Sequence, residues 1–260
     1  MYLLRNPNRK SVQKTFCVIF AIYTEFVRYM ISAMLQYPAG AANFRKFFMI
    51  SKTHNRRKDT EFIPVRMSRG EQVLKRMFDF VCAFLGLLCL IPVFAVIYIV
   101  LLIQRDGSPI FSQERIGKGG KPFNIYKFRT MCIDAENGTP LLAQKGDDRL
   151  TPVGKFLRTH HLDELPQLWN VLKGDMSFVG YRPERQYFID QIMQHDVRYQ
   201  FLFQMRPGIT SDATIYNGYT DTMEKMLERL SMDLHYLETA TFKGDIIIIL
   251  KTLGLVAKGD

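Results

Sequence analysis

The chain has 260 residues, 47% hydrophobic and 13% aromatic, so it can bury a sizeable core, which excludes an intrinsically disordered polypeptide. Its formal charge of +10 fits an anionic membrane surface, a phosphate-rich substrate or nucleic acid, and charge alone does not choose among them. The four cysteines, Cys17, Cys82, Cys89 and Cys132, form no C-x-x-C pair, which argues against a disulfide framework or a zinc site and for a reducing compartment.

Residues 1–74 read as an N-terminal extension. Phe16 to Tyr23 is apolar, but Glu25 and Arg28 interrupt the run before it could span a bilayer. Embedded charges suit an amphipathic helix lying on a membrane surface. The basic residues ahead of it and Ala39-Gly40-Ala41 behind give a signal-peptide look as the alternative. Residues 52–76 are polar and basic, a linker.

Residues 75–104 form a membrane-inserted segment. From Phe80 to Gln104 roughly 25 residues pass without a charge, long enough to span a bilayer. Pro92, near the middle, removes a backbone hydrogen bond and predicts a kink or break. Arg69, Lys75 and Arg76 precede the run, and Arg105, Arg115, Lys118 and Lys121 follow it, so both flanks are basic. The positive-inside rule wants both in the cytoplasm. A re-entrant helix broken near Pro92 and returning to the same face satisfies this, with a kinked crossing as the alternative.

Residues 105–260 have the texture of a soluble domain. Pro109–Gln113 and Phe123–Phe128 predict short strands joined by a turn at Gly117-Lys118-Gly119-Gly120, whose spacing is not that of a P-loop. Leu162, Leu165, Leu168, Trp169 and Leu172 recur at helical spacing. Further helices are expected over Glu184–Gln204 and Thr222–Leu237, and Asp245–Lys258 fits a core helix and a surface-lying one equally. The expected class is α+β, mainly helical.

Asp163 and Glu164 stand where the helical pattern begins, with Pro166 in its first turn. Helix-start N–H groups and the helix dipole would keep both carboxylates ionised. An ionised carboxylate can attack phosphorus or hold Mg²⁺; the plainer reading is a helix cap. Arg129, Arg149, Arg158, Arg182 and Arg206 each lie beside a turn or helix-start signal, and arginine suits the oxygens of a diphosphate. These cations scatter among turns without an aromatic-spaced basic stripe, which speaks against nucleic acid as a partner. The sequence has no D-x-D motif of the kind a conventional glycosyltransferase would use.

The ordered segments KRMFDF, the apolar run with Pro92, SPIFSQERIGKGGKPFNIYKFRTM, GDDRLTPVGKFLRTHHLDELPQLWNVLKGDMSFVG and RPGIT, from about Lys75 to Lys258, resemble the bacterial sugar transferase family, the monotopic polyprenyl-phosphate phosphoglycosyl transferases. The resemblance implies an enzyme of the bacterial inner membrane, with its catalytic domain on the cytoplasmic face. Asp163 would attack the phosphorus attached to the sugar of a UDP-sugar, release UMP and form a covalent phosphosugar intermediate. A polyprenyl phosphate such as undecaprenyl phosphate would then take the sugar phosphate, beginning the assembly of a polysaccharide or glycoconjugate. Glu164 would help hold Mg²⁺, and Lys127, Arg129, Arg158, Arg182 and Arg206 are candidates for charge neutralisation or substrate binding. A homodimer is compatible with the resemblance. A catalytically inactive membrane scaffold is the rival, but such a homologue would be expected to lose the acidic pair, the KFRTM cations or the RPGIT turn, and all are present.

Some positions depart from the family pattern. Tyr181 replaces a proline, Ile91 precedes Pro92 where some relatives place serine, and His160 and His161 precede Leu162 where smaller residues are typical. Ser211 to Gly218 reads SDATIYNG, a region expected to bear on the sugar.

Overall fold

The computed structural model describes residues 62–136, 140–142, 147–218 and 220–258, all within one compact unit, Lys58–Asp260. The surface helix expected at Phe16 to Tyr23 and residues 52–61 of the basic linker lie outside the described residues; the end of that expected linker is not a linker, because from Arg69 it is already helix.

Helix α1, Arg69–Gln104, begins at a capping box. The Ser68 hydroxyl accepts from the Glu71 N–H at 3.3 Å and the Glu71 carboxylate accepts from the Ser68 N–H at 3.0 Å, satisfying two of the helix's orphan donors. It ends where Arg105 turns left-handed at φ 63°. The helix runs through Pro92 without ending there, so the proline costs it a hydrogen bond but does not divide it into two elements. Asp79, Ala83, Ile97 and Leu101 are buried, whereas Phe80, Phe84, Leu85, Leu88, Ile91 and Leu102 are about half exposed. Among the described residues it is the one helix long and apolar enough to cross a membrane.

Two short sheets follow. Strands β1 (Ile110–Ile116) and β2 (Pro122–Phe128) pair antiparallel from Ile110↔Phe128 to Ile116↔Pro122, round a turn where Gly119 and Gly120 take φ of 72° and 69°. Helices α2 (Pro152–Thr159) and α3 (Gln167–Lys173) flank a 3₁₀ turn at Leu162–Glu164. Strand β3 (Ser177–Val179) runs parallel to β4 (Gly208–Thr210). A Cβ on Gly208 would stand 2.1 Å from the Gly180 nitrogen, so the two backbones meet where neither can carry a side chain.

The single helix expected over Glu184–Gln204 is instead α4 (Gln186–His195) and a 3₁₀ stretch, Val197–Gln204. Asp196 separates them in an extended conformation, its carboxylate accepting from the Arg198 N–H at 2.9 Å. This is the local side-chain bond by which aspartate competes with helix continuation. After the one-turn α5 (Asp212–Tyr216), α6 (Met223–Thr239) completes the main core, in which Leu230 and Leu237 pack with Phe188, Ile189, Ile192, Leu202 and Tyr181. In the last helix, α7 (Phe242–Lys258), Ile248 is buried and Ile247 and Leu253 are exposed, so it is half core and half surface.

The KRMFDF segment docks α1 on this domain. Lys75 reaches the Val179 carbonyl at 2.8 Å and pairs with Asp245 of α7. Arg76 donates to the carbonyls of Val171 and Leu172 at 2.6 and 2.9 Å, and Asp79 accepts from the Phe178 N–H at 3.1 Å. Farther along, Gly86 lies against Leu168 of α3, and Phe94 stacks tilted on Phe128 of β2 with centroids 5.3 Å apart. The helix therefore touches the same domain on both sides of Pro92.

Candidate active site

Helix α2 is seated hard against the end of the KFRT segment. The Thr151 hydroxyl caps it by accepting from the Gly154 N–H at 2.9 Å, and a Cβ on Gly154 would fall 1.9 Å from the Thr130 carbonyl oxygen. The chain then reverses at His161, whose φ of 53° is left-handed, and enters the 3₁₀ turn carrying Asp163 and Glu164. His160 stays local, its Nδ1 bonded to the Phe156 carbonyl at 2.8 Å.

Asp163 is 4% exposed. Lys127 donates to Glu164 Oε1 at 2.6 Å from the end of β2, and Arg182 donates to the same oxygen at 3.4 Å from the segment after β3. The two carboxylates behave differently. Burial pushes the Asp163 carboxyl above its ordinary value and the neighbouring Glu164 adds to this, while Lys127 and Arg158 pull it back. Burial would raise Glu164 as well, but Lys127 and Arg182 outweigh it and hold that carboxyl well below the usual range. In turn Glu164 raises Arg182. The pair precedes α3 in the 3₁₀ turn and not at the helix start, and facing cations favour the ionised form of both acids, most strongly that of Glu164.

Of the six basic residues singled out in the sequence, Lys127 and Arg182 bond to Glu164 and Arg158 acts on Asp163 through its charge. Arg158 Nη1 is buried and finds no hydrogen-bond partner among the described residues. Arg129 bonds to the Ser108 carbonyl at 2.8 Å and lies over the Phe111 ring. Arg206 bonds to the Gly174 carbonyl at 2.8 Å, at the far end of α3 from the pair. There it complements the negative end of that helix, as Arg76 does. Arg149 clasps Asp147 at 2.6 Å and the carbonyls of Ala135 and Leu142, tying its own loop.

A cleft beside Glu164 is lined by Arg115, Ile125, Lys127, Gln167, Arg182, Pro183 and Gly208. Behind it, Glu184 accepts from Arg115 at 3.2 Å and from Arg229 of α6 at 2.9 Å, which fixes the Arg182-Pro183-Glu184 segment on both sides. Asp233, one turn beyond Arg229, is pushed up to about 8 by burial. Tyr181 is fully buried in the core and its hydroxyl finds no partner among the described residues.

The sequence reading did not single out Asn170 or Gln167. Asn170 is fully buried; its carbonyl accepts from the Tyr126 N–H at 3.1 Å and its amide donates to the Asn124 carbonyl at 2.7 Å. It thereby joins α3 to β2 and sets the acidic pair beside Lys127. Gln167 follows Asp163 by four residues, a spacing that could have drawn notice.

Among the described residues no three acidic, histidine or cysteine side chains gather at one point, so those residues offer no all-protein metal cage. A carboxylate pair does fit Mg²⁺ shared with substrate, because that ion is commonly held by one or two carboxylates together with phosphate oxygens.

Residues 70–259 match the profile of a family described as bacterial sugar transferase. The chain is 36% identical over 186 residues to a UDP-N-acetylgalactosamine-undecaprenyl-phosphate N-acetylgalactosaminephosphotransferase of Aeromonas hydrophila, covering 72% of this chain and 44% of that protein. It is 39% identical over 181 residues to a UDP-glucose:undecaprenyl-phosphate glucose-1-phosphate transferase of Caulobacter vibrioides, covering 69% and 68%. An Escherichia coli protein of the same description is 37% identical over 214 residues, covering 79% and 46%. The chain thus spans about half the length of several curated relatives that it matches.

Proposed function

The chain belongs to the bacterial sugar transferase family, and from that we propose that it transfers a sugar 1-phosphate from a UDP-sugar to undecaprenyl phosphate or a similar polyprenyl phosphate. One observation carries the reading to particular residues: Asp163 is buried beside a Glu164 that Lys127 and Arg182 grip from two other elements. In the proposed reaction an Asp163 oxygen bonds to the phosphorus attached to the sugar. The phosphorus–oxygen bond to UMP breaks, and UMP leaves with that oxygen. The polyprenyl phosphate then attacks the same phosphorus and frees Asp163.

Phosphoryl transfer asks for positioning and charge neutralisation. Lys127 and Arg182 provide a fixed positive wall, and Arg158 faces the nucleophile. Mg²⁺ bound by Glu164 and the donor's phosphates would neutralise further charge. A covalent step lets a water-soluble donor and a lipid acceptor use one site in turn.

We place the apolar α1 in the cytoplasmic membrane as a re-entrant segment, with the catalytic domain on the cytoplasmic face. Lys75 and Arg76 near its start and the contacts Gly86–Leu168 and Phe94–Phe128 farther along tie the helix to one domain on both sides of Pro92, which supports re-entry over a crossing; re-entry then requires a bend and not a break at the proline. The relatives named above for N-acetylgalactosamine and for glucose leave the sugar to experiment. Purified chain would be incubated with Mg²⁺, undecaprenyl phosphate and a panel of UDP-sugars. UMP release that depends on the lipid and on one sugar is expected; no release from a folded preparation would favour the scaffold reading.

A further inference from the structure

We propose that Gln167 is a substrate-binding residue of this site, donating its side-chain amide to a non-bridging oxygen of the phosphate being transferred. The inference rests on the reaction class proposed above and adds a residue that its sequence motif did not mark. Gln167 is 2% exposed, yet its Nε2 finds no hydrogen-bond partner among the described residues. Buried donors are nearly always paired, so an orphan of this kind calls for an explanation. The side chain lines the cleft that Lys127, Glu164 and Arg182 also line.

Arg115 shows the same feature on the same cleft. Its Nη1 is engaged by Glu184 and the Pro183 carbonyl and its Nη2 by Gln113, which leaves Nε, buried and without a partner. Two residues with unanswered N–H donors therefore border a cleft whose lining sets the cations Arg115, Lys127 and Arg182 against the single carboxylate Glu164. A non-bridging phosphate oxygen only accepts hydrogen bonds, and it is the ligand group that answers donors of both kinds. Gln167 opens α3 four residues after Asp163, the residue to which the phosphate would become attached.

The test uses the full chain in detergent, with Gln167→Met, which keeps the length and removes the donor, and Gln167→Glu, which keeps the shape and can only accept. Two readings are taken: kcat for UMP release, and the rise in unfolding temperature produced by UDP, whose terminal phosphate stands where the transferred one would, with UMP as the control that lacks it. Gln167→Met should lower kcat about 100-fold, the effect of losing one preorganised donor. Its unfolding temperature without ligand should stay at or above that of the wild type, and its stabilisation by UDP should shrink toward that by UMP. Gln167→Glu should lose more on both readings. Wild-type kcat together with undiminished stabilisation by UDP in Gln167→Met would overturn the assignment. Should the wild type release no UMP from any donor, the reaction class fails, while the ligand-induced stabilisation still decides Gln167.

Discussion

Replacing Lys127 with methionine removes the charge that most directly supports the acidic pair. Its ammonium lies 2.6 Å from Glu164 Oε1, with the two side chains only 18% and 17% exposed, so solvent screens the contact weakly. It is also the strongest charge opposing the effect of burial on Asp163. A hydrogen bond between charged groups is worth about 1.5–3 kcal/mol, so the lost support is of that order. Arg182 remains to hold Glu164, which leaves Asp163 the more affected. Asp163 must be ionised to attack, so activity falls as pH drops through its folded-state value, and Lys127→Met raises that value. The acidic limb of the pH profile for UMP release should therefore move to higher pH, and Lys127→Arg should restore most of the shift. A variant with a lower plateau but an unmoved acidic limb would refute this electrostatic coupling and leave Lys127 a substrate contact alone.

Asn170→Ala strands the buried Tyr126 N–H and Asn124 carbonyl; a loss of about 2–4 kcal/mol is expected in denaturant unfolding, and a loss below about 1 kcal/mol would contradict the bridging role. Tyr181→Phe deletes a buried hydroxyl that has no partner among the described residues, so stability should hold or rise by about 1 kcal/mol, whereas a clear drop would show that the hydroxyl is paired. Asp163→Asn should abolish UMP release and yet raise the unfolding temperature at neutral pH, by about 2–4 °C for each 1 kcal/mol gained. The sign follows from a folded-state carboxyl raised above its ordinary 3.8, which makes the ionised form the costly one. The advantage should accordingly shrink as pH falls from the folded value toward 3.8, and a variant less stable than the wild type at neutral pH would contradict it.

Much of the catalytic domain could be read locally. The β1–β2 hairpin followed from four turn residues between apolar runs, and the strand reading erred by ending at Gln113 where pairing continues to Ile116. The acidic pair and two of its cations were legible because the motif order places them together. Partners chosen by tertiary packing were not. Lys75 meets the Val179 carbonyl 104 residues later, and no spacing rule reveals that KRMFDF is a docking strip. Arg206 and Arg129 illustrate the converse, since an arginine beside a turn serves a backbone carbonyl as readily as a phosphate. The break at Asp196 was obscured by the apolar periodicity on both sides of it. Gln167 was hidden because an orphaned amide is visible only once its surroundings are in place.

The most direct test of the central claim is the mass of the intact protein after incubation with Mg²⁺ and the productive UDP-sugar in the absence of lipid acceptor. The wild type should gain the mass of one sugar phosphate, carried on Asp163, release one equivalent of UMP, and lose the added mass when undecaprenyl phosphate is supplied. Asp163→Asn should gain nothing. An enzyme that turns over with lipid present but never carries the sugar phosphate, or an Asp163→Asn variant that still does, would contradict the assignment of Asp163 as nucleophile.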